Sequence, residues 1–244
     1  MELANACELY RDTGFFGQPA NSLTSLAFIV SGVAIAASRR PGRHRRLPFA
    51  VLVIAVGAGS LVQHGPNPDW QAYAHDLPLA TLLAYVAVDA AADLLGRNVS
   101  PAWWLTVPVA MLPVVAAGPT ASSVAQGGIA AAAIGLNLLR ARWRPELRRT
   151  LIGSTVILGA GALVGTIGDR TSICRPDVLL QGHAFWHLMA ALALWRLAPV
   201  IGRRGSSATS TKPEGSPLAR PDRSLAARQA RPETHAPHRR RPTA

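Results

Sequence analysis

The sequence predicts an all-α, polytopic membrane protein of seven transmembrane helices, with the N-terminus outside and the C-terminus in the cytoplasm. Three observations lead there. The 244 residues are 49% hydrophobic, with a mean hydropathy of +0.20, yet carry a formal net charge of +12, a pairing that suits apolar spans with basic flanks. Seven apolar runs follow one another, each near the ~17 to 20 residues a helix needs to cross a bilayer. Arginines gather in alternate connections, which sets the orientation by the positive-inside rule.

Residues 1–20 read as a polar external segment, with Glu2, Glu8 and Asp12 against Arg11. No basic stretch precedes an apolar core there, so no cleaved signal peptide is expected. The apolar runs cover about 21–37, 47–63, 75–95, 102–117, 121–139, 150–168 and 179–199. Pro108 and Pro113 predict kinks in the fourth. Five arginines lie in 38–46 and five in 140–149, Arg97 follows the third run, and 65–69 reads Gly-Pro-Asn-Pro-Asp, a turn without Lys or Arg. The basic connections are therefore cytoplasmic, and an odd number of spans carries the C-terminus to the same side. Residues 21–200 form one membrane domain. In 201–244, ten Lys/Arg from Arg203 onward face three acidic residues in a Pro-, Ser- and Ala-rich background, which predicts a disordered, basic cytoplasmic tail. Its expected neighbour is anionic lipid rather than nucleic acid.

Polar residues at the ends of the runs locate a candidate site. His183 and His187 open the seventh run four residues apart, so on a helix they share one face with Cβ atoms roughly 6 Å apart, a metal-binding spacing. Ser60 and His64 close the second run with the same spacing, and Asp76 opens the third. The predicted topology puts all five at the external level of the membrane. Each has a plainer reading alone: an isolated histidine as a hydrogen-bonded helix end, Ser60 as a small packing residue, Asp76 as a helix cap. Their common level favours a functional cluster, because ionisable groups at membrane depth are costly. Three neutral imidazoles with one open position are the ligand set of a catalytic zinc site. Asp76 would then serve as general base for a bound water, and Ser60 would hydrogen-bond that water or a developing oxyanion. His75 reads as a loop or supporting residue, Asp89 and Asp93 as hydrogen-bonders between helices or, for Asp93, as a residue near the cytoplasmic interface. His44, His235 and His238 lie in basic segments on the other side.

Several blocks resemble the alkaline ceramidases and their wider CREST superfamily of seven-helix membrane hydrolases, which includes the adiponectin receptors. They are Cys7-Glu8 with Gln18-Pro19-Ala20-Asn21-Ser22-Leu23-Thr24-Ser25-Leu26-Ala27-Phe28; Gly59-Ser60-Leu61-Val62-Gln63-His64; Asp76-Leu77-Pro78; and His183-Ala184-Phe185-Trp186-His187. The resemblance covers the chain to about Pro199. It implies a zinc-dependent amide hydrolase acting on ceramide or another N-acyl lipid within the bilayer and releasing a fatty acid and a sphingoid-type amine. His64, His183 and His187 would bind zinc, Ser60 and Asp76 would support the water, and the acyl chain would lie between helices. Gln18 stands where the family has a carboxylate, and the segment around Asn5 and Ala6 lacks its Asp-Trp, which leaves a calcium site doubtful; Leu77 replaces a glutamate. The family also has a bridge comparable to one between Cys7 and Cys174. Both precede helices on the external side, where oxidation is permitted, and two free thiols are the alternative.

Other classes fare less well. A retinal-type Schiff base needs a membrane lysine, and the one lysine is Lys212 in the tail. Repeated halves or paired broken helices, the marks of a transporter, do not occur. Haem between two histidines and a non-catalytic receptor or scaffold with a structural metal remain as alternatives. The Ala/Arg-rich composition suggests a bacterial plasma membrane, and oligomeric state is not legible.

Overall fold

Seven α-helices, two short 3-10 turns and no strand form among the described residues. In this computed structural model these are 7–12, 14–38, 43–100, 102–170, 174–177, 179 and 181–204, without the side chains of Arg43 and Arg170. The predicted basic tail from residue 205 on, residues 1–6 and 39–42 of the first basic connection lie outside them. The helices are α1 (Pro19–Ala37), α2 (Arg43–His64), α3 (Gln71–Leu94), α4 (Thr106–Ala116), α5 (Pro119–Trp143), α6 (Pro145–Arg170) and α7 (Gly182–Leu197). The 3-10 turns, Trp103–Leu105 and Ala198–Val200, precede α4 and follow α7.

The boundaries differ from the apolar runs for identifiable reasons. α2 and α6 begin in the arginine-rich connections, since arginine is a good helix former and Pro145 sits where a missing N–H is harmless. α3 starts at Gln71, so Asp76 lies in its second turn and caps nothing; the cap position belongs to Trp70. α4 is only 11 residues long, with Pro113 inside it and a 3-10 turn in place of its predicted first turn. α7 starts at Gly182 because Gln181 is extended. As a result five helices, α1, α2, α3, α5 and α6, are long and apolar enough to cross a membrane, while α4 and α7 are shorter.

The surface has the polarity of an integral membrane protein. α1 exposes Leu23, Leu26, Val30 and Val33 and buries Asn21, Ser22, Ser25 and Gly32, the reverse of a helix facing water. α1 packs on α2 and α7, α2 on α3, α3 on α5, α5 on α6, and α6 on α7, so six helices close a ring with α4 against α3 and α5. Phe28, Phe49, Val53, Leu82, Leu151 and Ala191 fill the interior.

Buried charge pins one end of this ring. Arg140 of α5 is fully buried and donates from Nε to Asp93 Oδ2 at 2.7 Å and from Nη1 to Asp89 Oδ2 at 3.2 Å. Its Nη2 reaches the carbonyls of Val200 at 3.1 Å and Arg203 at 2.8 Å. Arg144 and Arg204 pair with Asp93 and Asp89, each at 2.8 Å. Asp89 and Asp93 thus bond between helices, as expected, and tie the chain after α7 to α3 and α5. Replacing Arg140 with leucine removes the buried cation that Asp89 and Asp93 share and leaves each with only the more exposed Arg204 or Arg144, so it should destabilise the protein by about 3 kcal/mol. Thermal unfolding in detergent should show this loss, with partial recovery when Asp89→Asn and Asp93→Asn are added.

Candidate metal centre

Three imidazoles meet at the opposite end of the ring. His64 is the last residue of α2, and His183 and His187 occupy the first two turns of α7. One ring nitrogen from each lies within 4.8 Å of the others, and the ring centroids are 4.7–5.1 Å apart. Glycines make this possible. A Cβ on Gly168 would lie 2.7 Å from Gly182 Cα, so only glycine lets the start of α7 sit this close to α6.

The hydrogen bonds decide which nitrogen each ring offers. His187 Nδ1 lies 3.2 Å from the carbonyl oxygen of Asn21 and 3.1 Å from Thr24 Oγ1, whose own hydrogen goes to Ala20 O at 2.8 Å. His183 Nδ1 is 3.2 Å from Asp169 Oδ2, and His64 Nδ1 is 2.6 Å from Gln18 Oε1. A carbonyl, a carboxylate and an amide oxygen accept, so all three Nδ1 atoms carry a proton, and in the neutral ring, the form that binds a metal, each Nε2 carries the lone pair. His64 Nε2 is buried and has no hydrogen-bond partner, a costly state for a polar atom that a metal ligand bond relieves. The residues fit a metal ion bound through three Nε2 atoms.

Ser60 belongs to the same cluster. It is 1% exposed, and its Oγ lies 2.9 Å from Ser25 Oγ and 3.4 Å from His187 Nε2. Asp76 is engaged elsewhere. Its Oδ1 is 2.7 Å from His75 Nδ1, and its Oδ2 accepts from Ser122 Oγ at 2.6 Å, which in turn accepts from Gln126 Nε2 at 2.9 Å. Among the described residues no hydrogen bond joins Asp76 to the three histidines. The geometry therefore groups Ser60 with the imidazoles and groups Asp76 with His75, Ser122 and Gln126.

The segment before α1 straps over the histidine end. Cys7 and Cys174 form a disulfide across 167 residues. Cys7 N–H donates to Asp169 Oδ1 at 3.2 Å and Leu9 N–H to Pro176 O at 3.4 Å. Glu8 accepts from the backbone N–H groups of Ala20 at 2.8 Å and Asn21 at 2.9 Å, so α1 engages both oxygens of its carboxylate. Gln18 donates from Nε2 to Glu8 O at 2.7 Å and from its backbone N–H to His64 O at 2.8 Å. The orienting roles of Gln18, Asn21, Thr24 and Asp169 were not read from the sequence. Asp169 had a signal, a carboxylate closing an apolar run at the histidines' level.

No protein-family model matches the chain, and no curated protein matches it. The site itself carries the functional reading. Asp169→Asn should weaken metal binding by about 10- to 100-fold, the usual cost of losing a ligand's hydrogen-bond partner, in competition with a calibrated chelator. Cys7→Ser should lower stability by about 2–4 kcal/mol in thermal unfolding, and a reductant should lower the unmutated protein to match.

Proposed function

We propose that this protein is a zinc-dependent, ceramidase-like hydrolase of lipid amides that works within the bilayer, with seven spans and its histidine end outside. The observation that carries this reading is the set of three Nε2 lone pairs, each imidazole fixed by an oxygen acceptor at Nδ1, beside the buried hydroxyl of Ser60. Three nitrogen ligands leave one position open, whereas a structural zinc site is closed by four protein ligands. Imidazole nitrogen is also a ligand that zinc accepts well. The disulfide favours an oxidising, external side for this end.

A zinc ion held here would polarise an amide carbonyl and bring the pKa of a bound water to about 7. The chain's own residues do the rest. Gln18, Asn21, Thr24 and Asp169 keep the imidazoles in one tautomer. Ser60 Oγ would donate to charge developing on the carbonyl oxygen. Asp76, with His75 on one oxygen and Ser122 on the other, forms a polar relay that would carry a proton from water to the leaving amine. In the net reaction one water cleaves the C–N bond, the acyl carbon gaining the oxygen as a fatty acid and the nitrogen gaining the proton. The cleft described among these residues lies at the opposite end of the bundle and is not offered as the acyl site. Ceramide is the first substrate to try, and another N-acyl lipid is the next.

Metal analysis of the detergent-purified protein and its His187→Ala variant, with each assayed for fatty acid release from a short-chain fluorescent ceramide, tests the reading. About one zinc per chain is expected, with metal and release both lost in the variant. Zinc without release from any N-acyl lipid would favour a non-catalytic receptor or scaffold. A purified protein without zinc, prepared free of chelators, would overturn the proposal.

A further inference from the structure

We propose a second site, unrelated to the histidines, where the start of α6 and the end of α7 bind a phosphate-bearing anion. An open cleft of about 520 Å³ lies there, lined by Pro145, Arg148, Arg149, Ile152, Gly153 and Arg196. Three guanidinium-bearing side chains from two helices line one space. At the same end Arg140, Arg144 and Arg204 pair with Asp89 or Asp93. Among the described residues Arg148, Arg149 and Arg196 pair with no carboxylate.

The seating of Arg196 is specific. Its Nη2 donates to Arg149 O at 3.4 Å, while its Nε is buried without a hydrogen-bond partner. A Cβ on Gly153 would lie 2.7 Å from that Nε, so the glycine is what lets the guanidinium lie against α6. Three like charges brought together repel one another unless an anion lies between them. A phosphate offers several oxygens to the forked donors of arginine and is the anion they match best.

The surroundings suit a lipid headgroup. Trp143 at the end of α5 and Trp195 beside Arg196 are both exposed, as tryptophans are at a membrane interface. From the cleft, Ile152, Val156 and Leu163 form an exposed apolar track along α6 where an acyl chain would lie. The cleft volume exceeds that of a phosphate group and leaves room for a glycerol backbone. Free phosphate shares the same chemistry and is separated from lipid by experiment.

The test uses the full-length protein in detergent, titrated with dioleoyl phosphatidic acid, with dioleoylglycerol, which has the same chains and no phosphate, and with inorganic phosphate. Native mass spectrometry and thermal unfolding give the readouts. Phosphatidic acid should bind and raise Tm, dioleoylglycerol should not displace it, and Arg149→Gln with Arg196→Gln should weaken binding by about tenfold or more. The exposed, separately tested Arg148→Glu should do the same, and an unchanged helical circular dichroism spectrum and a single gel-filtration peak in detergent would show that each variant is folded. Inorganic phosphate that competes at millimolar concentration identifies a free anion as the ligand, and failure to compete identifies the lipid headgroup. Equal binding of dioleoylglycerol, or phosphatidic acid affinity unchanged in all the arginine variants, would overturn the proposal.

Discussion

The carboxylate of Glu8 caps the first turn of α1, and the arrangement of the histidine cluster depends on that cap. A helix end leaves backbone N–H groups without partners, which is expensive away from water. Pro19 has no N–H, so Ala20 and Asn21 carry the first free donors, and Glu8 accepts from both. This fixes the rotation of α1 about its axis. Gln18, Asn21 and Thr24 then face the imidazoles of His64 and His187 and hold their Nδ1 protons. A carboxylate outside the helix thereby sets the tautomer of two rings it does not touch.

What the sequence made legible was local or set by level in the membrane. His183 and His187 share a face because a helix repeats every 3.6 residues, and His64 joins them because successive spans return to the same side. The all-helical fold followed from the apolar runs, and the Cys7–Cys174 bridge was expected from resemblance. What stayed hidden depends on which helices touch and at what rotation. Gln18 looked like the loss of a carboxylate, yet its amide orients His64 from one side while bonding Glu8 from the other. Asp76 was read from its level alone as a general base, and the hydrogen bonds it makes, to His75 and to Ser122 of α5, depend on how α3 meets α5. The shortness of α4 and α7 was concealed by flanking apolar residues that adopt 3-10 turns.

The two ends of the ring solve the same problem with opposite means. At the basic end, charge is neutralised by charge: Arg140 is wrapped by two aspartates and two carbonyls. At the histidine end, neutral rings donate to oxygen and leave their other nitrogen toward a common point. The first arrangement is saturated and therefore rigid. The second keeps unused valence, which is what a set of metal ligands requires.

The disulfide joins a residue near the start of the chain to one just before the last helix, and the three imidazoles divide between α2 and α7 in the same way. During synthesis the ribosome has almost finished the membrane domain before either connection can form. A growing chain therefore carries His64 with its Nε2 unclaimed through most of translation, and any chain cut short before α7 has neither the centre nor the strap over it. The candidate site therefore comes into being only when α7 packs against α1 and α6, and no shorter piece of the membrane domain holds the three imidazoles together.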